Sequence, residues 1–150
     1  MRNVTIRPAT EADIAQIAQI SQSSMTSAWK EEDFRGALSN PQAKVWVAQE
    51  EEILGYCVLY FAADEGELPS IAVTAQARGQ GIGKALMEAL IKGCRSVGVT
   101  RLFLEVRCSN EPAHRLYETF GFLVAGTRRN FYNHPVEDAD VMVASLSDHE

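Results

Sequence analysis

Apolar positions recur along this chain in two distinct periods. Between Gly81 and Gly98 the residues Ile82, Ala85, Leu86, Ala89 and Leu90, with the small Gly93, follow the i, i+3, i+4 spacing of one buried helical face. Ile14, Ile17, Ala18 and Ser21 mark a second such face. Thr10 with Asp13 three residues on supplies its start, a hydroxyl N-cap with an acidic third position. A helix from about Lys30 to Leu38 carries Phe34 and Leu38 four apart, with Trp29 just outside it, and stops ahead of Asn40-Pro41, where proline excludes its predecessor from the helical region. Asn110 to Phe120, with Ala113, Leu116, Tyr117 and Phe120 on one side, is the fourth helix.

The remaining apolar runs read as strands. Val4 to Arg7 is a short one ended by Pro8. Lys44 to Gln49 and Ile53 to Ala63 are rich in β-branched and aromatic residues and flank the acidic turn Glu50-Glu51-Glu52, the pattern of an antiparallel hairpin. Glu67 to Val73 follows, but Pro69 has no N–H to give a ladder, so a bulge or an unpaired side is expected there. Arg101 to Arg107, a run from Phe122, and Ala139 to Leu146 complete the set. The order β α α β β β α β α β β predicts an α/β fold with a mixed sheet of about seven strands and four helices. With no internal repeat, low-complexity stretch or linker, residues 1–150 read as a single domain.

Composition narrows the function. Of the 150 residues 46% are hydrophobic and 23% charged, which excludes a disordered chain. Fourteen Lys+Arg against twenty Asp+Glu leave a net charge of −6, so nucleic acid and anionic membranes are disfavoured partners and a cationic substrate is favoured. Cys57, Cys94 and Cys108 are too few and too scattered for a disulfide framework or a metal site and read as reduced core thiols. His114, His134 and His149 form no cluster, so no metal is expected. No apolar run approaches the ~20 residues of a membrane span, and MRNVTIRP carries no signal-peptide core. A cytoplasmic protein, monomeric or weakly dimeric, is the expectation.

The segment Arg78-Gly79-Gln80-Gly81-Ile82-Gly83-Lys84 joins a strand to the long helix, so its backbone N–H groups are the unpaired donors of a helix start. Three alternate glycines let the main chain approach an anion closely, and Lys84 adds positive potential. A P-loop is excluded because Arg78 stands where it needs Gly and Ala85 where it needs Ser or Thr. A dinucleotide fingerprint is excluded because Lys84 replaces its last Gly.

Arg78, Gly81 and Gly83 spell R-x-x-G-x-G behind Ile71-Ala72-Val73. Further on stand Leu104-Glu105-Val106-Arg107, Ser109-Asn110, Leu116-Tyr117, Gly121-Phe122, Arg128-Arg129-Asn130-Phe131-Tyr132 and Glu137-Asp138-Ala139. Taken together, and over nearly the whole chain, these resemble the GCN5-related N-acetyltransferase (GNAT) superfamily. With Trp29 ahead of an acidic helix start, they look like its RimI type, which acetylates the N-terminal alanine of ribosomal protein S18. The resemblance implies a mostly antiparallel central sheet flanked by four helices, and acetyl-CoA as donor. It implies that the amides of Gly79, Gln80, Gly81, Ile82, Gly83 and Lys84, with Arg78, hold the pyrophosphate. Ile71, Ala72 and Val73 pair with the pantetheine arm, and Asn110 contacts the cofactor.

Amide formation from a thioester needs a neutral amine, and an α-amine with a pKa of roughly 7.7 to 8.0 is mostly protonated at neutral pH. By the resemblance, Glu105 is the base, Tyr117 the acid at the departing thiolate, and an amide near Val73 the donor to the carbonyl. The residues themselves permit these roles. Glu105 and Phe103 lie on the strand face opposite Leu102, Leu104 and Val106, in a sheet expected to be covered on both faces. Tyr117 lies on a core-facing stripe, where a packing tyrosine is the competing reading. Trp29, Tyr132, Glu137 and Asp138 are the candidate lining of the acceptor, and Asp64, Glu65 and Glu67 are placed to attract a basic tail.

Pro69-Ser70 and the compact Asn133-His134-Pro135 turn depart from the family pattern on the acceptor side. A broader protein N-terminal acetyltransferase, a small-molecule amine acetyltransferase and a non-catalytic acyl-CoA-binding module therefore stay open. An acyl-cysteine route through Cys108 lacks a basic partner.

Overall fold

The computed structural model describes residues 3–24 and 28–146. Its strands are β1 (Thr5–Pro8), β2 (Ala43–Gln49), β3 (Ile53–Ala62), β4 (Glu65–Val73), β5 (Arg101–Arg107), β6 (Leu123–Tyr132) and β7 (Glu137–Ser145). Its α-helices are α1 (Ile14–Ser24), α2 (Glu31–Leu38), α3 (Ile82–Ser96) and α4 (Glu111–Glu118). All seven strands join one sheet in the order β1-β2-β3-β4-β5-β7-β6. Neighbours are antiparallel except β4 and β5, whose parallel pairing is what the α3 crossover permits. The predicted elements are all present, with ends shifted by a few residues. Pro8 closes the edge strand β1 as its last paired residue, opposite Trp46, rather than standing outside it.

The predicted cap at Thr10 forms and does more than start a helix. Asp13 accepts from the Thr10 amide at 2.8 Å and takes two bonds from Arg7 of β1, at 2.8 and 3.0 Å, so one buried carboxylate ties helix to strand. The Arg7 guanidinium holds the Asp13 carboxyl below the usual carboxylate range.

Each sheet face has its own core. α1 and α2 pack Ile14, Ile17 and Phe34 on Val45, Val47, Tyr56 and Val58. On the other face α3 packs Leu86, Met87 and Leu90 on Cys57, Leu59, Leu102 and Leu104, and Tyr117 and Phe122 extend that core. β3 lies under both, so Ile53 to Leu59 is buried without alternation. α3 comes close to β2 because Gly93 has no side chain: a Cβ there would stand 2.5 Å from Cζ2 of Trp46.

Two irregularities open the sheet at its middle. Tyr60 pairs with Glu67 but Val58 with Ser70, so β4 holds an extra residue at Leu68-Pro69, the bulge expected from the proline. The bulge brings Glu67 onto the same face as Ser70 and Ala72. Beside it, the pairing of β4 with β5 ends at Glu67 opposite Phe103, beyond which the two strands part. Helices cover the α1/α2 face only over β2 to β4, which corrects the expectation of cover on both faces throughout: β6 is exposed over Leu123 to Phe131. Among the described residues no helix is long and apolar enough to cross a membrane.

Candidate active site

The glycine loop lies at one end of this opening. Gly79 and Gly81 have φ of +75° and +84°, the left-handed region that favours glycine, and no side chain caps α3 at Gly81. The helix ladder begins with the Ala85 amide on the Gly81 carbonyl at 3.1 Å, so the amides of Ile82, Gly83 and Lys84 precede it without intrahelical acceptors. Arg78 donates from Nε to the Val73 carbonyl at 3.1 Å and fastens the loop to the end of β4. Ile71, Ala72 and Val73 pair with Cys57, Tyr56 and Gly55 of β3, and their other edge faces the gap left by β5.

Glu105 and Tyr117 approach the gap from opposite faces. Tyr117 reaches it from α4, buried at 6% exposure, and its hydroxyl makes no hydrogen bond among the described residues. Burial pushes its pKa up, and the phenol feels both Cys57 on the β3 side and Tyr132 on the β6 side. Glu105 projects from the other face with 13% of its side chain exposed and is ion-paired at 3.0 Å with Nε of Arg128. Glu67, on the same face as Glu105, has its pKa raised by burial and by the Glu105 charge, with Arg128 opposing.

The acceptor-side candidates divide. Trp29 packs on Phe34 at 5.1 Å and on Tyr60 at 6.0 Å, and Tyr60 stands opposite Glu67, so an aromatic floor leads from α2 to the opening. Tyr132 stacks under the Arg107 guanidinium at 4.4 Å, and burial, then the Glu105 charge, push its pKa up to about 12. Glu137 and Asp138 are already engaged. Glu137 pairs with Arg107 at 3.2 Å and accepts from the Ser109 amide at 2.8 Å, and Asp138 accepts from the Asn130 amide at 2.8 Å. These bonds shape the hairpin wall. Asn110 is the N-cap of α4, accepting from the Ala113 amide at 3.2 Å. Glu65 is drawn to Arg101 at 3.2 Å on the surface.

Sequence reasoning did not assign Tyr60, and it missed the pairing of Arg128 with Glu105. Strand parity alone does not reveal these, because the bulge resets β4 and the register of β6 on β7 slips after Arg128. It also missed a clamp on α4. His114 Nδ1 lies 2.8 Å from the Asn110 carbonyl oxygen and Nε2 2.9 Å from Asp140 of β7, so the protonated ring donates to both. With an acceptor at each ring nitrogen, its pKa is raised. Cys57 and Cys94 are buried, but Cys108 is exposed, a correction to its reading as a core thiol. Its Sγ lies 3.4 Å from Asp140, and desolvation together with that carboxylate raises its pKa, which opposes a nucleophilic thiolate. Among the described residues no three His, Cys, Asp or Glu side chains are arranged to hold a metal; His149 lies outside them.

Residues 14–122 match the model of the Acetyltransferase (GNAT) family. A Bacillus subtilis (strain 168) protein provisionally named a [ribosomal protein bS18]-alanine N-acetyltransferase is 35% identical over 138 residues, 91% of each chain. The [ribosomal protein bS18]-alanine N-acetyltransferase of Escherichia coli (strain K12) is 36% identical over 121 residues, 79% of this chain and 82% of the relative. The crystal structure of the ribosomal-protein-S18-alanine N-acetyltransferase from Escherichia coli superposes with a TM-score of 0.89 at 31% identity, covering 98% of this chain and 96% of the other.

Proposed function

The chain belongs to the acetyltransferase (GNAT) family, and on that footing we propose that it transfers the acetyl group of acetyl-CoA to the α-amine of a protein N-terminus, the N-terminal alanine of ribosomal protein S18, in the cytoplasm and as one domain. The observation that carries this reading is the parting of β4 from β5 beyond Glu67 and Phe103, because the glycine loop, the free edge of β4, Glu105 and Tyr117 all border that gap.

The amides from Gly79 to Lys84 hold the pyrophosphate, helped by the helix dipole and Lys84. Arg78 keeps them in line with β4 through its bond to Val73. Ile71, Ala72 and Val73 bind the pantetheine arm as a strand would, and an amide near Val73 donates to the thioester carbonyl. Asn110 serves mainly by setting the start of α4, and so the position of Tyr117. Glu105 takes the proton that the α-amine must lose, directly or through water. Tyr117 gives its proton to the leaving thiolate, a role supported by its unpartnered hydroxyl and its raised pKa, which keep the phenol protonated over the working range. Trp29 and Tyr132 flank the first residue, and Glu137 and Asp138 hold the hairpin wall beside it.

The test is mass-spectrometric acetyl transfer from acetyl-CoA to peptides beginning Ala-Arg or with other first residues, and to spermidine. Acetylation of the alanine α-amine in clear preference to the rest is expected. Preference for spermidine would overturn the proposed acceptor and leave the donor site standing.

A further inference from the structure

Arg128 is an unusual neighbour for a base. It stands on the edge strand β6 opposite Ala139 of β7, yet its guanidinium reaches across β7 to Glu105 of β5. The arginine is 58% exposed and the carboxylate 13%, so a cation held from the solvent side covers a carboxylate set into the sheet. Its hold is weak for two reasons. An ion pair with one exposed long side chain exchanges readily, and the register of β6 slips just past it: Arg128 faces Ala139, but the next paired residue is Tyr132, facing Glu137.

Next to this pair lies a carboxylate with less. Glu67 is the last residue of β4 paired to β5, shares the face of Glu105, and is half-buried, and its carboxylate makes no hydrogen bond or ion pair among the described residues. Tyr60 stands opposite it with Trp29 behind, so one side of the space between the two carboxylates is aromatic. Across the opening the Tyr117 hydroxyl also makes no hydrogen bond among the described residues, and it is not among the buried unpartnered atoms, so it stays accessible from the gap. Two carboxylates repel anions and attract a compact cation. A primary ammonium presents three donors from a small centre and satisfies both carboxylates, where the long guanidinium is ion-paired with Glu105 and otherwise lies 5.9 Å over the Phe131 ring.

We propose that Arg128 is an internal stand-in for the acceptor's ammonium group, and that the ammonium displaces it to sit between Glu105 and Glu67, which makes Glu67 the second carboxylate of the acceptor seat. This rests on Glu105 being the residue that faces the amine. Arg128 then sets how strongly a substrate must compete for the seat, and Glu67 is a positioning residue that holds the ammonium while Glu105 removes its proton.

The test measures binding of an Ala-Arg-starting peptide, and of the same peptide N-acetylated, to the CoA-loaded protein, alongside turnover with acetyl-CoA. Arg128→Met is expected to tighten the free-amine peptide at least threefold. Glu67→Gln is expected to weaken it at least fivefold while moving the acetylated peptide less than twofold, and Glu67→Asp to recover part of the loss. Equal effects of Glu67→Gln on both peptides, or weaker or unchanged binding in Arg128→Met, overturn the seat whatever the turnover. The expected binding pattern without turnover in the wild type keeps the seat and overturns the acetyl-transfer reading instead.

Discussion

Replacing Gly83 by alanine separates the packing of the glycine loop from its proposed use. Gly83 is the second residue of α3, and the nearest atom to a Cβ built there is Cδ2 of Leu116, at 3.4 Å, an ordinary van der Waals contact. The protein therefore has room for the methyl group. Alanine is favoured over glycine inside a helix by roughly 0.5–1 kcal/mol, less in the first turn, so Tm is expected to stay level or rise by about 1–3 °C for a chain of this size. The same methyl points toward α4, across the space a donor must enter, and crowds an amide that has no intrahelical acceptor. Loss of one hydrogen bond to a charged phosphate costs about 1.5–3 kcal/mol, which is a roughly 10- to 150-fold weaker Kd. Calorimetric titration with CoA, paired with thermal melting, reads both quantities on one sample. Wild-type affinity in a protein whose Tm has held would refute the loop assignment, and a fall in Tm of several degrees would refute the packing argument.

Tyr117→Phe removes a hydroxyl that makes no hydrogen bond among the described residues, so Tm should change little while turnover falls by about 100-fold; turnover within twofold of wild type would remove Tyr117 from the chemistry. Glu105→Gln should lower turnover most at neutral pH, and its ratio to wild type should recover as pH rises through the α-amine range near roughly 8. A ratio that stays flat with pH would argue against the base role. The His114–Asp140 clamp has its own pH signature. A histidine raised in the folded state stabilises fully below its unfolded value of about 6.5 and loses that contribution as pH rises through the folded value. Asp140, lowered chiefly by His114, stabilises above the unfolded carboxylate value of about 3.9 and loses its contribution as pH falls through the lowered one. The Tm gap between wild type and His114→Ala should therefore be widest near pH 5–6 and close toward pH 9; a constant gap would sink this account.

Much of the site was readable because its chemistry is local. The unpaired amides of the glycine loop follow from where a strand gives way to an amphipathic helix, and the break in β4 follows from a proline that cannot donate. The place of Glu105 on the face opposite Leu102, Leu104 and Val106 follows from strand alternation. Other side chains have partners distant in sequence that local pattern does not show. Glu137 and Asp138, the candidate acceptor lining, are also held by bonds to the Ser109 and Asn130 amides and to Arg107. Gly93 looked like a small residue on a helix face, and only the Trp46 ring against it explains its size.

The sequence by itself determined the elements, their order, the glycine loop and the alternation that separates core from site, since each depends on spacing within a few residues. The tertiary structure decided what those elements share. It set where β4 and β5 part, the bulge that brings Glu67 beside Glu105, the reach of Arg128 over β7, and the grip of His114 on Asp140. Each joins segments tens of residues apart through register and crossover. A single added residue in a strand reverses which face every later side chain occupies, and local pattern carries no record of that until the strands are paired.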